Sequence, residues 1–430
     1  MLESSASLSG EQREERLRFL MRWQQVTGPI MAKGLEDTVH YVYNRFVSSN
    51  EVGGNPVSPG IPTGEFHRRA GGALARCPHG MNATSTHDTK RSEEVRARIN
   101  VLSELPGEWE KRLSLWSRWN EEKKTSIEGR PVPDRNEEIL VYQTLLGAWP
   151  FDESEFPSFT ERVAEYMVKA VREAKVYTRW DRPNPAHEGA VRAFVDSVLA
   201  DTGGNRFLED FLLFQKKIAH YGALNSLAQV LLKITSPGVP DFYQGTELWD
   251  FSLVDPDNRR PVDFARRTLL LNELLNREKE APDALPLVQE LLSRWEDGRI
   301  KLFLTYKALN FRRRHQDLFL SGSYVPLAVS GGKKEHVLAF AREHNGFWAV
   351  AAVPRLMTRL VAPGEFHMGQ KAWGTQGGLL LPEGSPDRWS NTFTGETLSA
   401  PATNGKRHLP LSGVFHDFPV ALLAGGVPAA

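Results

Sequence analysis

Nine large apolar residues, Phe207, Phe211, Phe214, Ile218, Tyr221, Leu224, Leu227, Leu231 and Ile234, recur three or four positions apart over one uninterrupted stretch. That period places them on one face of an α-helix, and a helix this long needs a large hydrophobic surround to cover it. The stretch Arg206 to Ile234 is therefore expected as a buried central helix.

Helical patterns also fill the residues upstream of it: Ser92 to Leu105, Trp109 to Lys123, Glu137 to Leu146, Phe159 to Glu173 and Glu188 to Ala200. Near the start, Ser9 and Gln12 form a capping box for a helix that Thr27-Gly28-Pro29 is expected to stop. A further helical pattern covers Val39 to Val47, and a long Gly- and Pro-rich loop with a short helix near Phe66 to Ala75 follows. Downstream, helices are expected at Phe264 to Asn276, Leu287 to Glu296 and Ile300 to His315. From about Leu318 the texture changes. Val337 to Arg342, Phe347 to Val353, Leu356 to Val361, Trp389 to Leu398 and His416 to Leu423 read as short strands between polar turns. A C-terminal antiparallel β-sandwich is the expectation there.

With 430 residues, two or three domains are expected. Lys plus Arg and Asp plus Glu both total 53, so no net field favours nucleic acid or an anionic membrane. The one cysteine, Cys77, excludes an internal disulfide and a thiolate zinc site and fits a cytoplasmic location. No run is long and apolar enough to span a bilayer, and no signal-peptide core is present. A glycine-rich phosphate loop, a His-Glu-x-x-His pair and a Gly-x-Ser-x-Gly elbow are absent, and neither cofactor nor metal is expected.

Three polar clusters stand at the ends of small or apolar runs: Lys33 to Asp37, His87 to Arg91, and Asp241 through Arg260. The second follows Asn82 to Thr86, read as a short buried strand. Groups at the C-terminal end of a parallel strand are how a (β/α) barrel presents its chemistry. Asp88 is equally placed to cap a helix from Lys90 to Ile99, and the spacing leaves both readings open. Carboxylates, cations and aromatics together suit a neutral polyhydroxyl ligand.

The stretch Ala83 to Arg91 resembles the fourth signature region of the α-amylase superfamily of glycoside hydrolases, in which a His-Asp pair ends the seventh barrel strand. Gly238 to Glu247 resembles that superfamily's eighth-strand pattern. Met31 to Thr38, Leu145 to Pro150, Arg172 to Trp180 and Leu253 to Pro261 are similar, more narrowly, to the maltooligosyl trehalose synthase family. The resemblance implies an incomplete (β/α) barrel containing only the last strands, with a large helical insertion and the C-terminal sandwich. The implied segments are a partial barrel over 1–104, helices over 105–230, the last strand and closing helices over 231–317, and the sandwich over 318–430. It implies conversion of the reducing-end α-1,4 linkage of a maltodextrin to an α,α-1,1 linkage by a retaining mechanism. Asp88 would be the third, transition-state-stabilising carboxylate. His87, Lys90, Arg91, Tyr243, Glu247, Asp255, Arg259, Lys33 and Glu36 would bind substrate. The superfamily's nucleophile, in an Arg-x-Asp pattern, and its acid, a Glu, both precede the His-Asp block, and no such pattern precedes His87 here. The expectation is a C-terminal portion that needs a companion chain carrying the other barrel half, or failing that a non-catalytic α-glucan-binding protein or an inactive fragment.

Overall fold

The computed structural model describes residues 9–58, 60–200, 203–281, 283–403 and 406–427. Helix α1 (Gly10–Pro29) opens on the expected capping box between Ser9 and Gln12. It does not stop at Pro29. The chain continues as a π-helix over Ile30–Val39 and a last turn over His40–Val42. Proline removes one backbone donor from an α-helical ladder, and the register widens directly behind it. All of α1 is free of buried residues, and Leu17, Phe19, Met21, Trp23 and Val26 are exposed along it.

Strand β1 (Met81–Ala83) is shorter than expected and is not buried, Met81 being 71% exposed. Among the described residues its partner is β2 (Val239–Asp241), parallel and in the register Met81↔Val239 to Ala83↔Asp241. With no third strand beside them among the described residues, neither face is covered by a sheet, which is why the expected burial fails. Parallel pairing sends the polar stretches after Ala83 and after Asp241 out of the same end of the pair.

Helix α2 (Glu93–Asn100) begins at Ser92, so Asp88 is not its cap. Helix α3 (Arg206–Thr235) is the long buried helix read from the sequence. A Cβ at Gly222 would lie 2.4 Å from Arg98 Cγ and 2.8 Å from Arg98 Cα, so only glycine permits this close crossing of α2 and α3. One hydrophobic core, with Trp116, Tyr142, Phe159 and Phe194 against Phe207 to Leu224 of α3, runs from Tyr41 onward and crosses the boundary expected at residue 104. A second core joins Leu227 to Ile234 of α3 to Phe303, Leu304 and Phe311 of α4 (Arg299–Arg314) and to one face of a β-sheet.

That sheet is six-stranded and antiparallel, in the order 397–399, 388–391, 421–425, 347–354, 337–344, 323–326. Its other face, with Trp348 and Val350, meets Leu379 and Leu409 of a small three-stranded sheet. The sheet is therefore covered by helices on one side and by strands on the other. Leu356 to Val361, expected as a strand, is a loop around a 3-10 turn at Met357–Arg359. Its apolar residues serve the helical core instead: Met357 is buried there, and Tyr221 donates to the Val361 carbonyl at 2.7 Å. No helix among the described residues is long and apolar enough to cross a membrane.

Where α2, α3 and α4 meet, four charged side chains are buried together. Lys301 on α4 donates to Glu93 at 2.8 Å and also to Glu94, and Lys233 on α3 reaches Glu93 at 3.3 Å. Burial alone would raise the pKa of Glu93, but Lys301 and Lys233 outweigh it and hold the group down at about 2. Burial pushes Glu94 up to about 7, with Lys301 opposing and Glu93 adding to the rise.

Replacing Lys301 with Met removes the shared cation and strands both carboxylates. Breaking a buried pair this way costs about 3–5 kcal/mol, to be read as a lower denaturation midpoint at pH 8. Glu94 gives a second expectation. Between its unfolded pKa near 4.5 and about 7, the folded chain keeps a proton that the unfolded chain has released. Stability from this group therefore falls as pH rises through that window. Urea denaturation at pH 5, 6 and 7 should show a shallower decline in Glu94→Gln than in the unaltered chain.

Candidate functional site

The turn after β1 brings His87 and Asp88 to the surface as an adjacent pair, Nε2 to Oδ2 3.2 Å, with side chains 67% and 64% exposed. Their backbone is held from both sides. Ser85 Oγ accepts from the Glu93 amide at 2.9 Å, Thr84 Oγ1 donates to the Glu93 carboxylate, and the guanidinium of Arg96 donates to the Thr84 carbonyl. On the far side, Glu51, buried in the Gly- and Pro-rich loop, accepts the amides of Lys90 at 2.8 Å and Arg91 at 3.1 Å, and also that of Val52 at 2.8 Å. Asn258 Nδ2 donates to the His87 carbonyl at 3.1 Å. A carboxylate satisfying three backbone donors is a strong local constraint.

Lys90 and Lys33 converge on Asp37, Lys90 Nζ lying 2.7 Å from one carboxylate oxygen and Lys33 donating to the other. Burial acts to raise the Asp37 pKa, and the hydrogen bonds from Lys33 and Lys90 overcome it and lower it. The bond to Asp37 raises Lys33, with Glu173 and Asp88 adding to the field around it. Lys33, Asp37 and Lys90 are thus one charged group, assembled from the π-helix and the turn.

Other expected ligands are placed differently. Arg91 is only 1% exposed; it donates to Tyr166 Oη at 2.8 Å and to the Val47 carbonyl at 3.2 Å, so its guanidinium is enclosed by protein and closed to a sugar. Its charge is spent on joining the site turn to the helical core. Glu36 faces the Gly53 amide at 3.5 Å rather than the His87–Asp88 pair. Tyr243 donates to the Asn258 carbonyl at 3.1 Å, which brings it near His87 through one intermediate residue. Glu247 pairs with Arg267 at 2.9 Å. Asp255 pairs with Lys169 at 2.8 Å and lies 3.8 Å from Arg259, on the side of the helical core. These three are therefore held on other parts of the loop after β2.

Glu51 and Asn258 were missed from sequence. Glu51 sits in an irregular loop with no periodic signal, and Asn258 is one polar residue in a polar run. A contact 40 residues away in sequence leaves no trace in local pattern. The nearest available hint for Asn258 is its place inside Leu253 to Pro261, one of the family-like blocks. The arrangement as a whole supplies one exposed carboxylate with an imidazole beside it, near two lysines paired to Asp37: groups able to accept and donate to hydroxyls.

No family model matches the chain. A curated protein of Mycobacterium tuberculosis named as a maltooligosyl trehalose synthase is 36% identical over 403 residues, covering 94% of this chain and 45% of that protein. The structure of maltooligosyltrehalose synthase from Arthrobacter ramosus superposes with a TM-score of 0.76 at 34% identity, covering 94% of this chain and 46% of that one. Another maltooligosyl trehalose synthase crystal structure gives 0.71 at 32%, over 98% and 50%. The chain spans about half the length of the relatives it matches.

Removing the Glu51 carboxylate leaves the Lys90 and Arg91 amides without their acceptor. Hydrogen bonds to a charged group contribute about 1.5–3 kcal/mol each, and Glu51→Ala is expected to lose at least one such increment in chemical denaturation. Amide hydrogen exchange at Lys90 and Arg91 should accelerate selectively.

Proposed function

This chain is a relative of the maltooligosyl trehalose synthases over about half their length, and from that premise we propose that it carries part of the sugar site of such an enzyme. The activity proposed for the completed enzyme is rearrangement of the reducing-end α-1,4 linkage of a maltodextrin to an α,α-1,1 linkage. The observation that carries the reading is the state of His87 and Asp88. Their backbone is fixed from both sides while both side chains stay exposed beside each other. A carboxylate carried on a fixed backbone, with its side chain exposed beside an imidazole, is suited to accept ring hydroxyls and to stabilise positive charge developing at an anomeric carbon.

In a retaining reaction one carboxylate attacks the anomeric carbon and an acid protonates the departing oxygen, the two being about 5–5.5 Å apart. Asp88 takes neither role here; it holds hydroxyls and opposes the developing charge. His87 donates to the same sugar. Lys90 and Lys33, both paired to Asp37, would contribute positive charge on the π-helix side of the turn. The nucleophile and the acid are assigned to a companion chain. Two features support a companion. Among the described residues the β1–β2 pair has no further strand on either edge, and parallel sheets are found covered. Helix α1 exposes Leu17, Phe19, Met21, Trp23 and Val26, more apolar surface than an isolated helix keeps in water. Enclosing the site would also exclude water, which favours recapture of the released glucose over hydrolysis.

A second reading has its own observation: Asp37 and Glu51, the carboxylates bonded to the site turn, are both engaged by cations or amides. On that reading the chain alone binds α-glucan without turning it over. Mixing the chain with a protein supplying the other half, and assaying maltopentaose for a trehalose-ended product, decides between them. Product is expected from the mixture and from neither part. Asp88→Asn should cut the rate by at least 10²-fold with little change in folding, since its side chain is exposed. An unchanged rate in that variant sinks the assignment of Asp88.

A further inference from the structure

We propose that the cavity beside the site, between the 244–263 loop and the Phe151–Arg162 segment, binds one glucosyl unit of an α-glucan. The proposal rests on the α-glucan reading above and adds a second place of contact with the same ligand class.

The cavity holds about 250 Å³. That is smaller than the ~300–1,000 Å³ typical of sites for drug-sized ligands, so it suits a single ring. Its apolar part is a group of three aromatics. Phe151 meets Phe251 edge to face at 5.3 Å and Trp249 at 6.4 Å. Trp249 is held by its indole N–H, which donates to the Trp295 carbonyl at 2.8 Å, and the Arg98 guanidinium lies 3.6 Å from the Phe251 ring centre. These rings give the cavity an apolar wall against which the C–H side of a sugar ring can pack.

Its polar wall is rigid and already neutralised. Arg162 grips Asp257 with two bonds of 2.6 and 2.9 Å, and Arg267 is bound to Glu247 and to the Gly245 carbonyl. At the rim the situation reverses. The side chains of Gln244, Arg266, Glu155 and Glu296 make no hydrogen bond or ion pair among the described residues, and together they offer both donors and acceptors. A deeper group is also unsatisfied. Asn258 is 9% exposed and lines the cavity, and its Oδ1 is buried without a partner. Buried acceptors left open are uncommon, and a hydroxyl entering here would fill this one.

Charge selects among ligands. Carboxylates outnumber guanidiniums seven to four in the lining, so phosphorylated or carboxylated sugars are disfavoured and a neutral sugar is favoured. Asn258 also ties the cavity to the site, since its Nδ2 bonds the His87 carbonyl. A glucosyl unit seated against Asn258 therefore bears directly on the backbone that carries Asp88.

Isothermal calorimetry of the full chain with maltotriose tests this. The comparison is between unaltered chain, the rim double variant Arg266→Ala with Glu296→Gln, and the site double variant His87→Ala with Asp88→Asn. Rim residues are exposed, so folding is expected to be unaffected, checked by circular dichroism. The cavity proposal expects at least a tenfold weaker Kd in the rim variant and a remaining binding event in the site variant. Unchanged affinity in the rim variant with binding lost in the site variant overturns the cavity and leaves the α-glucan reading intact. No binding by the unaltered chain at millimolar maltotriose overturns the cavity proposal and the reading in which the chain alone binds α-glucan. Glucose 6-phosphate displacing maltotriose better than glucose does would overturn the choice of a neutral ligand.

Discussion

The buried junction of Glu93, Glu94, Lys233 and Lys301 is the interaction on which the rest depends. Four ionised or ionisable groups taken out of water are tolerated only if each meets an opposite charge or a hydrogen-bond partner. Here Ser226 donates to Glu94, Thr84 to Glu93, and the Leu248 carbonyl accepts from Lys301. Three helices and two loops must therefore be in register at once. The site turn hangs from this junction: Thr84 and Ser85, its first residues, bond Glu93, and Glu93 begins the helix that follows it. Geometry at Asp88 is inherited from charges buried away from the surface.

Much of this was legible in the sequence. The stripe along α3 sets a helix because its period has no other solution, and the capping box at Ser9 opens a helix where local chemistry requires it. The apolar runs at 337–344 and 347–354 became the central strands of the large sheet. The His87–Asp88 pair does follow a parallel strand. What stayed hidden was decided over distance. Glu93 and Glu94 look like the solvated face of a charged helix, and become core only because cations arrive from Lys233 and Lys301, 140 and 208 residues from Glu93. Arg91 looked like a ligand because local sequence does not reveal that Tyr166 and Val47 close over it. Leu356 to Val361 is apolar enough for a strand, yet helical-core contacts won over pairing.

On the proposed reading, the site and the neighbouring cavity would divide the recognition of a neutral ligand. At His87 and Asp88 the free groups are few and the surroundings already balanced, so specificity there comes from orientation. In the cavity the fixed ion pairs form walls, and uncommitted donors and acceptors stand at the mouth. Asn258 belongs to both, its carbonyl accepting from Tyr243 and its amide held on His87.

Helix α3 carries a consequence of another kind. At about 1.5 Å per residue its 30 residues span ~45 Å. Its first two thirds fill the helical core and its last third fills the core beneath the β-sheet. Neither core can lose its structure without exposing part of the one rod they share. Loss of either core is therefore expected to weaken the other through this helix, despite their different architectures.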